Sequence, residues 1–254
     1  MSRLDRVAAA VVFGVLVAGS AATARAQIVG MPLFTNPRVG TGIRIHADIG
    51  QPTDKGTSIG DATVVQGGLT LALGPVGIGA NVGMTNNAFK TVTSGANSAD
   101  LGTETKVTAS ALLQLRLMGG GLNPLSLSIF GGGSYDVSAY NFANISSLPQ
   151  AIQDSIKSAN PKLLLLPVGA AIGVKLPILG LSVWGAPRMN FTKVVDCPAG
   201  ASCKTQSDFR WAVGADLPIL GILSIRGAYD SGKIAGQTVS YWGVGASIGL
   251  GGMR

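Results

Sequence analysis

The chain has 254 residues, of which 46% are hydrophobic and only 12% are charged, and its formal net charge is +7. Soluble domains carry about 25% charged residues, so this composition argues against an ordinary water-facing surface. Glycine is abundant, at 37 residues, but it lacks the three-residue period of collagen. The basic residues are spread along the chain without interleaved aromatic side chains, so the sequence predicts no nucleic-acid binding.

The N-terminal 26 residues have the three parts of a secretory signal peptide. The short basic region "MSRLDR" is followed by the apolar run "VAAAVVFGVLVAGSAA" and by an A-x-A cleavage site at Ala24–Ala26. A membrane anchor is the alternative, but the run is shorter than the roughly 20 residues that span a bilayer. We expect residues 1–26 to be removed and residues 27–254 to form a single domain.

Several segments of the mature chain alternate strictly between apolar and polar residues. In "GIRIHADIG" (42–50) the isoleucines and Ala47 share one face, and Arg44, His46 and Asp48 share the other. The segments "VTASALLQLRL" and "FRWAVGADL" follow the same period of two, which predicts strands. The apolar stretch 163–184 could suggest a transmembrane helix, but each proline inside it would cost a helix about 3 kcal/mol.

Counting such segments predicts ten strands, with eight as the alternative, in one antiparallel up-and-down meander. The predicted strands are 40–50, 63–73, 76–86, 106–118, 124–135, 162–176, 181–193, 207–217, 221–230 and 238–250. Connections alternate in length, and both copies of "LPILG", at 176–180 and 217–221, are predicted tight turns at one end. Long connections are expected at 51–62, 87–105, 136–161, 194–206 and 231–237. An even strand count would place both termini at the short-turn end.

The two faces of these strands indicate which side meets lipid. The polar face is mostly Gly, Ser, Thr, Asn and Ala, which is a poor water-facing exterior but a suitable narrow lumen. The apolar face carries almost no charge, and closure of the sheet would satisfy every backbone polar group. The pattern therefore predicts an all-β transmembrane barrel with its apolar face outward. Aromatic residues near the long connections predict an interfacial girdle: Tyr135, Tyr140, Phe142, Phe191, Phe209, Trp211, Tyr229, Tyr241 and Trp242.

With its leader, strand period and alternating connections, the chain resembles the small outer-membrane β-barrels of Gram-negative bacteria over residues 27–254. The resemblance implies residence in the outer membrane, short periplasmic turns and longer extracellular loops. It also implies contact with outer-membrane lipid, and help from periplasmic chaperones and barrel-assembly machinery during biogenesis. One departure is the C-terminus "IGLGGMR", because such barrels usually end in an aromatic residue.

Two long connections carry further features. Cys197 and Cys203 are the only thiols, and in an oxidising compartment they predict a local disulfide rather than a metal site. The segment "SSLPQAIQDSIKSANP" within 136–161 predicts a short amphipathic helix. This helix would either lie on the rim or act as a lid, with Leu163 and Leu165 facing inward to receive it.

The polar face predicts a charged lumen. Its predicted members are Arg44, His46, Asp48, Arg116, Lys175, Arg188, Arg210, Asp216, Arg226 and Asp230, in which six Lys or Arg residues outnumber three Asp. Because unpaired buried guanidinium groups are costly, we expect Arg188, Arg210 and Asp230 to cluster in the loop-side half.

These residues indicate a structural barrel or a narrow, weakly anion-preferring channel. A surface adhesion barrel that acts through its extracellular loops is the alternative, and an outer-membrane enzyme is a third possibility. His46 is the only histidine, and apart from its neighbour Asp48 it has none of the partners that a hydrolase requires. The sequence therefore predicts no catalytic residues, no metal and no cofactor.

Overall fold

A computed structural model describes the chain over residues 28, 30–38, 40–53, 63–87, 92–94, 97–99, 104–120, 123–138, 162–177, 180–195, 197, 203–220, 222–234 and 237–250. Ten strands form one closed antiparallel barrel, as predicted. They are β1 (Gly42–Pro52), β2 (Thr63–Leu73), β3 (Val76–Asn87), β6 (Glu104–Gly120), β7 (Asn123–Asp136), β8 (Leu163–Lys175), β9 (Ser182–Val194), β10 (Gln206–Leu220), β11 (Leu223–Ile234) and β12 (Gln237–Leu250). Two three-residue strands, β4 (Val92–Ser94) and β5 (Asn97–Ala99), pair with each other between β3 and β6.

The barrel closes where β1 pairs with β12 in an antiparallel register that sets Ile45 opposite Ile248. Every barrel strand therefore has two hydrogen-bonded neighbours, which leaves no sheet edge. The stretch 163–184, which was apolar enough to suggest a helix, supplies β8 and the start of β9. Among the described residues, no helix has the length and apolar character needed to cross a membrane.

The exterior of the barrel is apolar, as the alternation predicts. Ile45, Val82 and Phe209 are each more than half exposed, at 55%, 56% and 56%. The polar residues between the outward positions face the lumen, where most are buried. A closed sheet with this exterior matches the hydrocarbon core of a membrane, because closure leaves no strand edge exposed to lipid.

An interfacial girdle of aromatic residues lies at the end of the barrel where the long connections join the strands. Its outward-facing members are Tyr135, Phe191, Phe209, Trp211, Tyr229 and Trp242. Tyr241 was wrongly assigned to this girdle, because its side chain faces the lumen and is fully buried. Neighbouring residues on a strand face opposite sides, so Tyr241 and Trp242 could not both face lipid. Tyr140 and Phe142 lie outside the described residues.

The two LPILG copies lie side by side but differ in structure. In the first copy β8 ends at Lys175 and β9 begins at Ser182, and the Leu176 amide donates to the Leu181 carbonyl at 2.7 Å. In the second copy, residues 217–220 continue β10, with a register shift between Pro218 and Leu220, so the expected turn begins later. A Cβ on Gly180 would lie 3.2 Å from Pro218 Cγ, which shows how close the copies are.

The last long connection was also predicted wrongly. Only residues 235–236 separate β11 from β12, and Ile234 pairs with Gln237. The strand ends that border the four remaining long connections, 53–62, 88–103, 137–162 and 195–205, lie at this same end. We call it the loop end and the opposite end the turn end.

Residues 28–38, which we call the N-terminal segment, run inside the barrel. Near the loop end, Ile28 Cδ1 lies 2.4 Å from the position a Cβ on Gly83 would take. At the turn end, Arg38 Nη1 donates to the carbonyls of Asn123 and Pro124 at 2.9 and 3.2 Å. The chain therefore descends the lumen and then reverses into β1. The expectation that the chain before the first strand lies at the turn end is wrong for this segment.

Candidate functional site: the filled lumen

The strands place all ten predicted lumen residues on the inner face. Six are buried: His46, Asp48, Arg188, Arg210, Arg226 and Asp230. Four are half-buried: Arg44, Arg116, Lys175 and Asp216. Strand parity alone is sufficient to assign these positions, because successive side chains alternate between the two faces.

The structure brings Arg188, Arg210 and Asp230 together in the loop-side half of the lumen. Arg188 Nη2 lies 2.6 Å from Asp230 Oδ2, and Arg210 Nη2 lies 2.7 Å from Asp230 Oδ1. Arg210 and Asp230 do not lie directly opposite each other. Arg210 lies opposite Arg188 and Gly232, and Asp230 lies opposite Ala212. The carboxylate therefore reaches diagonally to bridge two guanidinium groups.

A second carboxylate organises the middle of the lumen. Asp48 accepts from Arg226 Nε at 2.6 Å and from Gln66 Nε2 at 2.9 Å. His46 Nε2 lies 2.8 Å from Asn81 Oδ1 and 4.0 Å from Asp48 Oδ2. His46 is thus part of a polar network that involves four strands, and these contacts do not pair it with a nucleophile.

Sequence reasoning also missed an ion pair between Lys106 and Asp136. Lys106 Nζ lies 2.5 Å from Asp136 Oδ2, and the same carboxylate accepts from Thr108 Oγ1 at 2.8 Å and from the Leu163 amide at 2.9 Å. Both residues lie at the margins of the predicted strands. Lys106 is in phase with the inward residue Thr108, so parity could have identified it.

An apolar core fills part of the lumen, and the N-terminal segment supplies four of its twelve residues. The buried side chains Ile28, Met31, Leu33 and Phe34 cluster with wall residues Val64, Leu112, Phe130, Ala171, Trp184, Ala186, Ala212 and Ala228. The Arg226 guanidinium carbon lies 4.7 Å from the centre of the Phe34 ring, a cation–π contact. The segment therefore packs against the inner wall over the part of the lumen that these residues line.

Polar groups of the wall hold the main chain and the polar side chains of the segment. The Leu33 amide donates to Asp230 Oδ2 at 3.0 Å, so the loop-side cluster also anchors the segment. Asn36 Nδ2 donates to Asp216 Oδ2 at 2.9 Å, and Gln114 Nε2 donates to the Asn36 carbonyl at 3.0 Å. These contacts hold the segment at two levels along the barrel axis, at Leu33 in the loop-side half and at Asn36 nearer the turn end.

Inward-facing glycines leave the space that the segment occupies. A Cβ on Gly50 would lie 2.9 Å from both the Gly30 carbonyl oxygen and Met31 Sδ. A Cβ on Gly173 would lie 2.7 Å from Pro37 Cγ, and one on Gly243 would lie 2.9 Å from Pro32 Cδ. The inner surface of the wall is therefore complementary to the segment.

Basic residues gather near the turn end. Arg44, Arg116 and Lys175 line the wall there, and Asp216, which also accepts from Trp184 Nε1 at 2.8 Å, is the nearby carboxylate. The segment adds Arg38, whose pKa is lowered by partial burial and then by the neighbouring Arg116 charge. Around the described part of the turn end, positive charge thus exceeds negative charge.

The two loop features have different outcomes. Cys197 and Cys203 form a disulfide, as predicted, with Cα atoms 5.8 Å apart. The predicted helix within 136–161 lies outside the described residues. Leu165, which was expected to receive it, faces inward and is buried. No group of residues suited to bind a metal ion occurs in the described part of the chain.

Comparison with known proteins identifies no family for this chain. No family model matches the sequence, and no curated protein matches it. Similar solved structures are the translocator domain of autotransporter NalP from Neisseria meningitidis (14% identity, 82% of this chain and 88% of that one, TM-score 0.42) and Ail from Yersinia pestis (11%, 83% and 100%, TM-score 0.40). The outer-membrane protease OmpT from Escherichia coli is also similar (8%, 83% and 94%, TM-score 0.36).

All three are outer-membrane barrels, and the predicted resemblance to that class is confirmed. The likeness is one of fold at this level of identity. The barrel assignment itself rests on the closed ten-strand sheet and the apolar exterior of this chain.

Proposed function

We propose that the protein is an integral outer-membrane barrel with a structural role, whose lumen is closed by its own N-terminal segment. The observation that supports this proposal most directly is the buried apolar core that the segment forms with the wall. Closely packed interiors leave few voids larger than a water molecule, so ions would have no continuous aqueous path.

The pairing of the lumen charges supports the same proposal. Asp230 binds two arginines, Asp48 binds Arg226, and Asp136 binds Lys106. Buried ionic groups that satisfy each other stabilise one arrangement of the wall, and they are poorly suited to exchange with permeant ions. A lumen with these pairs is expected to conduct weakly or not at all.

A narrow, weakly anion-preferring channel is the second candidate. The excess of basic residues near the turn end favours it, because rings of Arg and Lys select anions in pores. This candidate requires the N-terminal segment to leave the lumen, at least transiently.

The remaining proposals follow the sequence expectations. We infer that residues 1–26 direct export and that residues 27–254 are the mature domain in the bacterial outer membrane. Outer-membrane lipid would be the principal partner, with periplasmic chaperones and the barrel-assembly machinery acting during biogenesis. We assign the protein no enzymatic activity, since His46 lies in a structural polar network.

Conductance of the purified protein in planar bilayers tests the proposed function. Folding is verified first by a shift of apparent size on heating in a detergent gel, which closed barrels show because they resist unfolding. The folded wild-type protein should then show no steady conductance. Steady, open conductance of folded protein would contradict the structural role and favour the channel.

A further inference from the structure

We propose that the N-terminal segment is a removable plug, and that the passage it closes selects anions. This inference rests on the proposed function, because it takes the closed barrel as the resting state. It assigns residues 28–38 a gating role and gives the lumen a second, open state.

The barrel wall is complete without the segment. Each of the ten wall strands pairs with two neighbouring wall strands, so the closed sheet does not use any backbone group of residues 28–38. Removing the segment would therefore break no strand pairing. This separates it from a true strand, whose loss would open the sheet.

The segment is held by hydrogen bonds in which at least one partner is a side chain, and no strand ladder includes it. They involve Leu33, Asn36 and Arg38, one residue in the loop-side half and two toward the turn end. Pro32 and Pro37 have no amide hydrogen, so neither can donate a backbone hydrogen bond to a ladder. Ordering an eleven-residue segment has a large entropic cost, which offsets much of the gain from burying its four apolar side chains.

The carboxylates that face the segment keep partners in the wall when it leaves. Asp230 retains Arg188 and Arg210, and Asp216 retains Trp184. The departure thus does not leave an isolated buried charge, which would otherwise oppose it strongly. These buried carboxylates therefore have partners both when the segment is in the lumen and after it leaves.

The charges near the turn end determine which ions the open state would favour. Arg44, Arg116 and Lys175 face one described carboxylate there, Asp216. In the loop-side half, the pairs around Asp230 and Asp136 are closer to balance. An ion crossing the emptied lumen would therefore meet its strongest positive field near the turn end, which favours anions.

The glycines of the wall offer a way to displace the segment in the full-length protein. Gly50→Val would place side-chain atoms where Gly30 and Met31 lie, and Gly173→Val would do the same at Pro37. Gly67→Val is the matched control, since Gly67 lies on the outer face of β2 and its added Cβ would meet nothing closer than 3.7 Å.

Single-channel recording of these variants tests the inference. After heat modifiability confirms that each barrel is folded, Gly50→Val and Gly173→Val should open at least tenfold more often than wild type. Their reversal potentials in a KCl gradient should indicate chloride preference, and Gly67→Val should behave as wild type. Folded Gly50→Val and Gly173→Val barrels that remain as silent as wild type would overturn the plug. Openings that prefer potassium would overturn the anion selectivity.

A labelling experiment shows whether openings and segment movement coincide. Thr35 is fully buried, so Thr35→Cys should resist a membrane-impermeant maleimide in the wild-type background. It should react at least tenfold faster when combined with Gly50→Val. Conductance without faster labelling would overturn the inference, because the path would then bypass the segment. A wild-type barrel that conducts steadily while Thr35→Cys stays protected would instead reject the proposed function.

Discussion

The barrel wall and the N-terminal segment are built on different principles. The wall is a ladder in which each strand alternates between lipid and lumen, so its conformation is encoded locally by a period of two. The segment has no period and no strand partner, and its path follows the cavity that the wall leaves. The interior of this barrel therefore has two kinds of contact: contacts within the wall, and contacts between the wall and the segment that lies in the lumen.

Asp230 is the residue that joins the two, so its loss should have the largest effect. Asp230→Ala leaves Arg188 and Arg210 buried without their carboxylate and removes the acceptor for the Leu33 amide. Breaking such a buried ionic group destabilises by about 3–5 kcal/mol. Urea titration of the barrel in detergent micelles, followed by tryptophan fluorescence, measures the change.

A compensated variant provides the control for Asp230→Ala. Replacing the whole group, as Asp230→Ala with Arg188→Met and Arg210→Met, removes the uncompensated charges and should restore most of the lost stability. If the triple variant were as unstable as the single one, the wall would depend on the ionic contacts themselves and not on avoiding isolated charge.

Phe34→Ala should have the next largest effect and should act on the segment. The Phe34 ring is buried in the lumen core and lies against Arg226. Truncating a buried Phe typically destabilises by about 3–5 kcal/mol, and we expect the lower end because the segment can shift. The matched control is Ile45→Ala on the outer face, where lipid chains replace the lost contacts. Equal losses in urea titrations of both variants would show that the lumen core has no special role.

Most of the wall could be predicted from the sequence, because the alternation of apolar and polar residues shows which segments are strands and which side chains face the lumen. The ten strands and the inward position of Arg188, Arg210 and Asp230 follow from parity and strand count. The cross-strand register was less accessible, since β10 continues to Leu220 and the turn before β11 is centred later than expected, which sets Arg210 opposite Gly232. Likewise, β11 extends to Ile234, so the connection before β12 is short.

The closure of the lumen could not be predicted in the same way. The sequence "IVGMPLFTNPR" has no alternation, and two prolines prevent it from reading as a strand. For residues 136–161 a local helical stripe predicted a helix on the rim, with a lid as the alternative, whereas the segment found inside the lumen is residues 28–38. Some signal was present in Gly50, Gly83, Gly173 and Gly243, but an inward glycine does not reveal which chain occupies the space.

Removing the disulfide should alter one loop without opening the lumen. Replacing Cys197 and Cys203 together by serine frees the short loop that they close. The chain-entropy model gives about 2 kcal/mol for a loop of this length. We expect that loss in urea titrations, with no increase in conductance and no faster labelling of Thr35→Cys. Channel opening in the cysteine-free protein would instead connect this loop to the plug.

The smallest predicted effect concerns a single contact between the segment and the wall. Asn36 Nδ2 donates to Asp216 Oδ2, and Trp184 Nε1 donates to the same oxygen. Because a hydrogen bond to a charged group contributes about 1.5–3 kcal/mol, Asn36→Ala should lose about 1.5 kcal/mol and Asp216→Ala should lose more. A double-mutant cycle isolates the shared part, and we expect a coupling energy of at least about 0.5 kcal/mol. In the labelling assay Asn36→Ala should also raise the reactivity of Thr35→Cys. Zero coupling, with Thr35→Cys still protected, would show that the Gln114 contact to the Asn36 carbonyl and apolar burial hold this end of the segment without Asp216.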